Sequence, residues 1–243
     1  MTGGLTYRYN AKSHVGLRRK VNEDSVLALP ELGIWMISDG MGGHASGDFA
    51  SQVIADNFAM IDPDLTAGER MRAVRQAIHD AHRLIVQEAD RRGGGTIGAT
   101  VVAFMVEQEY FTAFWAGDSR LYRLRGGEIT LLTADHSVVA ELVEIGQLTW
   151  DEADQHPESN RITRAVGVGD DVEVDKVRGT VQPGDRFLLC SDGLTKYAGF
   201  DRLRRTIDGA PLETVVDRLI QIALDGGGAD NISVIVIDAG KHK

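Results

Sequence analysis

Four aspartates stand where apolar, strand-like runs give way to tight turns, and together they span almost the whole chain. Asp39 closes the run Ile34-Trp35-Met36-Ile37-Ser38 and precedes Gly40. Asp118 follows Phe114-Trp115-Ala116-Gly117, Asp192 follows Phe187-Leu188-Leu189-Cys190-Ser191, and Asp230 precedes Asn231-Ile232. A carboxylate at the end of a buried strand is costly to desolvate unless a cation meets it. Four such ends converging would repel one another and raise one another's pKa unless hard cations held them together. Magnesium and manganese suit such ends, because they take carboxylate, carbonyl and water oxygens and retain several waters. The glycines after Asp39 and Asp192 let the chain turn and present a backbone carbonyl as a further ligand. Two such ions ~3.5–4 Å apart can activate one water and clamp a phosphoryl group for in-line attack. No Ser-His-Asp or Cys-His grouping offers a rival nucleophile, so the chemistry indicated uses water.

Taken singly, Asp-Gly and Asp-Asn are ordinary turn pairs, and the metal reading rests on their joint occurrence with Arg19 and Glu23. Other patterns have plainer explanations. His79 and His82 stand three apart but lack an acidic partner at zinc spacing, so a helix surface is expected. Gly40-x-Gly42-x-x-Ala45 imitates a dinucleotide fingerprint. Asp39 would then point at the pyrophosphate, and a second helix follows where a parallel strand would be needed. Arg18 and Lys20 read as solvated charges, and Trp35 and Trp115 as core.

The elements that must position the aspartates are legible from periodicity. An extended opening segment to about Pro30 is followed by a strand at Gly33–Ser38 and a helix from about Ser46 to Met60. The next helix starts at a capping box, Thr66 with Glu69, carries Met71, Val74, Ile78, Ala81 and Ile85 at helical spacing, and ends at Gly93-Gly94-Gly95. Gly98–Val106, Tyr110–Ala116, Arg120–Leu124 and Glu128–Leu132 read as successive strands, the last two joined at Gly126-Gly127. A mostly helical insert is expected from about His136 to Asp154, with a second box at Thr149 and Glu152. Strands near Asp171–Thr180 and Asp185–Cys190, a helix near Leu212–Asp225 and a strand at Ile232–Asp238 complete the chain. Runs of strands interrupted by helix pairs indicate an α+β fold with antiparallel sheets.

At 243 residues, 43% hydrophobic and 26% charged, the composition is that of an ordinary globular chain, and the absence of repeats or linkers favours a single domain over 1–243. The net charge of −10 argues against nucleic-acid partners, and the longest apolar stretches are too short to span a membrane. Lone Cys190, in an apolar run, reads as a buried structural thiol in a reducing compartment. With no basic-then-apolar leader at the start, a cytoplasmic location is expected.

Five motifs occur in order: Arg19-x-x-x-Glu23-Asp24, Asp39-Gly40-x-Gly42-Gly43-His44, Gly117-Asp118-Ser119-Arg120, Ser191-Asp192-Gly193-Leu194 and Asp230-Asn231. They resemble the signature of the PPM metal-dependent Ser/Thr protein phosphatases (type 2C) in their compact bacterial form. The resemblance implies a four-layer αββα sandwich, two central antiparallel sheets flanked by helix pairs, with a small flap over about 135–169. It implies two core Mn²⁺ or Mg²⁺ ions and a weaker third. By matched position Asp39 bridges the core ions, the Gly40 carbonyl completes one, Asp192 and Asp230 hold the other, and Asp118 shares the third with Asp192. Glu23 and Asp24 act through metal-bound waters, and Arg19 grips the substrate phosphate.

The implied reaction is hydrolysis of phosphoserine or phosphothreonine in proteins by a metal-activated water, with no phosphoenzyme, opposing a Ser/Thr kinase. Two alternatives stand beside it: a metal-dependent hydrolase of small phosphate esters or nucleotides, and a non-catalytic phosphoprotein-binding module. In the flap, His136, Glu141, Glu144, Asp151 and Arg164 are candidates for contact with a protein substrate. The chain departs from the animal members in carrying Met41 where they carry histidine. Met41 cannot protonate the leaving alkoxide, which leaves a metal-bound water or His44 as candidate general acid. With His44 as the acid, His44→Ala lowers kcat on a phosphopeptide and alters its pH profile; an unchanged kcat and profile eliminate His44.

Overall fold

Strand β3 (Ile34–Met41) is apolar on both faces, and this dictates the layering. Ile34 and Met36 pack under α1 (His44–Ala59) and α2 (Ala67–Arg91), whereas Trp35 and Ile37 face a second sheet. These relations come from a computed structural model that describes residues 5–149, 152 and 156–241, leaving aside the side chains of His44 and Ala45. The first sheet runs β2 (Asp24–Leu29), β3, β5 (Val101–Glu107), β6 (Tyr110–Ala116), β9 (Asp175–Thr180), with β4 (Gly98–Ala99) paired to the end of β3. The second runs β1 (Leu5–His14), β11 (Ile232–Lys241), β10 (Arg186–Cys190), β7 (Arg120–Arg125), β8 (Glu128–Leu131). All these pairings are antiparallel.

The second sheet repeats the two-sided logic. Phe187, Leu189, Ile235 and Ile237 enter the layer between the sheets. Leu188, Cys190, Val234 and Val236 alternate to the outer face, under α5 (Phe200–Ile207) and α6 (Leu212–Asp225). The period of two along each strand thus feeds two cores at once, giving the expected four-layer αββα sandwich. Aromatic rings fill the inter-sheet layer: Phe104 and Phe187 have centroids 4.5 Å apart, and Phe111 lies 5.6 Å from Phe187. Among the described residues no helix is long and apolar enough to cross a membrane.

Several expectations are refined. The opening segment is a full ten-residue strand, β1, paired along its length with β11; its sequence lacks clean alternation because it lies at a sheet edge. α5 escaped notice because only Phe200, Leu203 and Ile207 mark its apolar stripe within a charged octet. Within the insert α3 covers Val138–Glu144, Glu152 is helical, and the box at Thr149 appears as its N–H donating to Glu152 Oε2 at 2.8 Å. Trp150 and Asp151 lie outside the described residues.

The expected surface role of His82 is wrong. It is buried, and its Nδ1 accepts the Gly167 N–H at 3.0 Å, an arrangement that pins the segment before β9 to α2. His136 is likewise buried; it stacks on Trp115, so it is a packing residue and not a flap contact. Arg164 pairs with Asp175 at 3.2 Å, at the start of β9.

The fully buried Phe187 bridges both sheets through Phe104 and Phe111. Phe187→Ala is expected to lower unfolding free energy by about 3–5 kcal/mol, with the urea m-value unchanged. A loss well under ~1 kcal/mol would contradict this view of the inter-sheet layer.

Candidate active site

Antiparallel register places Asp24 of β2 directly opposite Asp39 of β3. The Asp39 backbone is held on both sides by Thr100: its N–H donates to Thr100 Oγ1 at 3.1 Å, and its carbonyl accepts the Thr100 N–H at 2.8 Å. Thr100 Oγ1 also lies 2.8 Å from Ser119 Oγ, which joins the β3 end to the turn carrying Asp118. Gly117 lies at φ +111° and so close to Thr100 that a Cβ would fall 2.6 Å from the Thr100 Cβ, so only glycine fits. His136 clamps the same turn: its N–H donates to the Gly117 carbonyl at 3.0 Å, and its Nδ1 accepts the Gly117 N–H at 3.1 Å.

The second sheet contributes the other two aspartates. Asp192 opens the short helical turn α4 (Asp192–Thr195) directly after β10, and Asp230 lies just before β11. The two turns touch so closely that a Cβ on Gly193 would sit 1.9 Å from the Asn231 carbonyl oxygen. The Asn231 side chain then fixes the loop bearing Arg19. Its Nδ2 donates to the Val15 and Val21 carbonyls (2.9 and 3.0 Å), and its Oδ1 accepts the Glu23 N–H at 2.8 Å.

These constraints bring Asp39, Asp118, Asp192, Asp230, Gly40 and Arg19 to the lining of one cavity of about 280 Å³, with Met41 and Lys196 beside them. A second space of about 560 Å³ shares Arg19, Asp118, Asp192, Lys196 and Asp230 and reaches Ser137, Ser159 and Asn160 in the segment before β9. Glu23 and Asp24 are buried and do not line the smaller cavity. His44 opens α1, but its side chain lies outside the described residues.

The electrostatics are those of crowded carboxylates. Burial, then the charges of Asp24, Asp192, Asp118 and Asp230, hold the Asp39 carboxyl well above the usual range. Burial, with Asp192 and Asp135 nearby, pushes Asp118 up to about 8. Burial pushes Asp24 up to about 7, against the opposing hydrogen bonds that its Oδ2 accepts from Ser233 Oγ (2.6 Å) and Ser191 Oγ (3.0 Å). These bonds join β2 of one sheet to the ends of β10 and β11 of the other. Two cations offset part of this repulsion. Lys196 Nζ lies 2.8 Å from Asp192 and 3.3 Å from Asp230, and the Arg19 fork closes on Asp230 at 2.9 and 3.0 Å.

Among the described residues no three His, Cys, Asp or Glu side chains are drawn together tightly enough to form a metal cage. The donor set nevertheless fits a hard divalent ion: carboxylate oxygens that repel one another, and buried Asp24 Oδ1 and Asp192 Oδ1 with no hydrogen-bond partner. Cys190 is remote from such chemistry, since burial pushes its thiol up to about 12. Sequence reasoning missed Lys196, Ser191, Ser233 and Thr100. Lys196 alone had a signal, four residues after Asp192 on a helical turn.

A four-layer sandwich with an acid-lined cavity where its two sheets meet is the architecture of the metal-dependent protein phosphatases. The family model described as protein phosphatase 2C matches residues 13–232, and the chain belongs to that family. A serine/threonine protein phosphatase PstP of Mycobacterium tuberculosis is 37% identical over 238 residues, covering 96% of this chain but 45% of that relative, so the chain spans about half its length. The solved structure of PppA from Pseudomonas aeruginosa, a key regulatory component of the T6SS, superposes with a TM-score of 0.90 at 41% identity, covering 96% of this chain and 98% of that one. The catalytic domain of a PstP solved with two manganese ions gives 0.89 at 34% identity, covering 98% and 100%.

The raised carboxyls give a pH signature to the metal-free fold. Folded-state pKa values above the ordinary 3.8 favour the neutral forms, so their stabilising contribution is complete below that value. It is lost as pH rises through about 7 for Asp24 and about 8 for Asp118. In chelator, Tm should therefore fall between about pH 5 and pH 8.5, by roughly 2–4 °C per kcal/mol lost, and Asp24→Asn should flatten the slope. A metal-free Tm that rises over this interval would contradict the assignment.

Proposed function

We propose that this chain is a Mn²⁺- or Mg²⁺-dependent protein phosphatase that hydrolyses phosphoserine and phosphothreonine in proteins and opposes a Ser/Thr kinase in the cytoplasm. The reading takes residues 1–243 as one phosphatase domain, with 135–169 as its flap. One observation carries the proposal: four aspartates from separate segments of two sheets line a single cavity together with Arg19, in a chain of the protein phosphatase 2C family.

In this reading Asp39, the Gly40 carbonyl, Asp192 and Asp230 would hold the two core ions, with Asp39 serving both, and Asp118 would hold a weaker third with Asp192. Glu23 and Asp24 act from the buried shell, orienting water and the β3 end. When bound, the paired ions supply an activated water and neutralise charge on the phosphoryl oxygens. The chain's own residues do the rest. Arg19 is oriented by its two contacts to Asp230, and its three remaining N–H donors are available to a phosphate. The backbone brace of Thr100 on Asp39 keeps the carboxylate at the cavity edge without side-chain reorganisation, the preorganisation on which phosphoryl transfer depends. Met41 lines the cavity as an apolar wall, so proton delivery to the leaving alkoxide falls to water or to His44. The larger space reaching the flap favours a protein segment over a compact phosphate ester.

Wild type should release phosphate from phosphothreonine peptides only with Mn²⁺ or Mg²⁺, and with higher kcat/KM than from nucleotides. Asp39→Asn and Asp230→Asn should each lower kcat by about 10²-fold or more while remaining folded. Nucleotides preferred over peptides would establish the small-ester hydrolase, and metal binding without phosphate release the non-catalytic module.

A further inference from the structure

Both oxygens of Asp230 are already engaged by the chain itself. Oδ1 accepts from Arg19 Nε (2.9 Å) and from the Asn231 N–H (3.0 Å), and Oδ2 accepts from Arg19 Nη2 (3.0 Å) and Lys196 Nζ (3.3 Å). Asp192 differs: its Oδ2 meets Lys196 Nζ at 2.8 Å, while its buried Oδ1 has no hydrogen-bond partner. A divalent ion held by this pair would find Asp192 half open, but could reach Asp230 only by replacing an N–H donor.

The donors differ in how readily they yield. Arg19 holds Asp230 by two prongs of a planar fork, and the Asn231 donor is a backbone amide fixed by the turn. Lys196 makes one longer contact with Asp230 from a flexible four-carbon stem. Its backbone is anchored by fixed hydrogen bonds, whereas its head is held only by the two ion-pair contacts. The Lys196 N–H donates to the Asp192 carbonyl at 3.0 Å. Next to it, the Tyr197 hydroxyl accepts the Ala229 N–H at 3.3 Å, and the Tyr197 ring packs against Gly226. The ammonium can therefore swing without disturbing either aspartate's backbone. About a third of the side chain is exposed, and the larger cavity offers it room.

We infer that Lys196 is a resident counter-cation of the metal site, holding Asp192 and Asp230 together until a divalent ion displaces it and thereby setting that ion's affinity. The inference rests on the reading of Asp192 and Asp230 as metal ligands. Lys196 is a positioning residue here, because its effect passes through the two carboxylates. A like charge left beside a bound dication opposes it, and the carboxylates can serve only one of the two cations well at a time. Ion binding thus has to overcome the ammonium contacts, and removing the ammonium removes that competition.

The test is Mn²⁺ titration by calorimetry, without substrate, on wild type, Lys196→Met and Lys196→Arg, together with thermal melts in chelator and in saturating Mn²⁺. Lys196→Gln serves as a second neutral variant should Lys196→Met fold poorly. The neutral variants are expected to bind Mn²⁺ about fivefold tighter or more, and Lys196→Arg no tighter than wild type. Their melting temperature is expected to fall in chelator but to return to wild type with Mn²⁺. Unchanged or weaker Mn²⁺ binding in a neutral variant, or an equal Tm loss in both conditions, overturns the inference and makes Lys196 a structural strut or a substrate contact. A wild type that binds no Mn²⁺ overturns the metal reading itself, and this inference with it.

Discussion

Carboxylates brought together out of water repel one another, and the centre of this molecule is organised around that cost. Asp39 feels the charges of Asp24, Asp118, Asp192 and Asp230 while burial strips away the solvent that would screen them. Hydrogen bonds from Ser191 and Ser233 to Asp24, the Arg19 fork on Asp230 and the Lys196 ammonium between Asp192 and Asp230 offset part of it. What remains is an unfavourable charge distribution with oxygens facing a cavity, and divalent cations are the ligands that relieve it best. Instability of this kind is the form in which affinity for a hard ion is stored in a fold.

The two sheets are what make such a cluster tolerable. Their shared aromatic layer, centred on Trp35, Phe104 and Phe187, locks the strands, and helix pairs cover the outer faces. Backbone bonds at the strand ends then leave the aspartates little freedom: Thr100 brackets Asp39, His136 brackets the turn before Asp118, and Asn231 links Asp230's turn to the Arg19 loop. Hydrophobic burial far from the cavity thus supplies the rigidity that carboxylate repulsion would otherwise spend on separating the strands.

Much of this was legible in the sequence because it depended on local pattern. β6 and α6 begin and end where the apolar periodicity says, and the capping box at Thr66 is formed, with its N–H donating to Glu69 at 3.0 Å. The aspartates were visible because each ends an apolar run at a turn. What stayed hidden depended on contacts between distant segments. The edge strand β1 needs β11 as partner, His82 needs Gly167, and His136 needs the Gly117 turn, so none announces its role by its neighbours in sequence. Arg19 was expected to face a phosphate, yet its fork lies first on Asp230, a pairing across 211 positions that no spacing rule reveals. Lys196 was overlooked for a different reason: an i,i+4 Asp-Lys pair ordinarily means only a modest surface ion pair.

On this view the distant carboxylates form one site for paired divalent ions. Anomalous diffraction at the manganese edge from crystals grown with Mn²⁺ tests it most directly. Two strong peaks are expected within coordinating distance of Asp39, one also met by the Gly40 carbonyl and the other by Asp192 and Asp230. Manganese found only at surface carboxylates, with Lys196 still bridging Asp192 and Asp230, would contradict it.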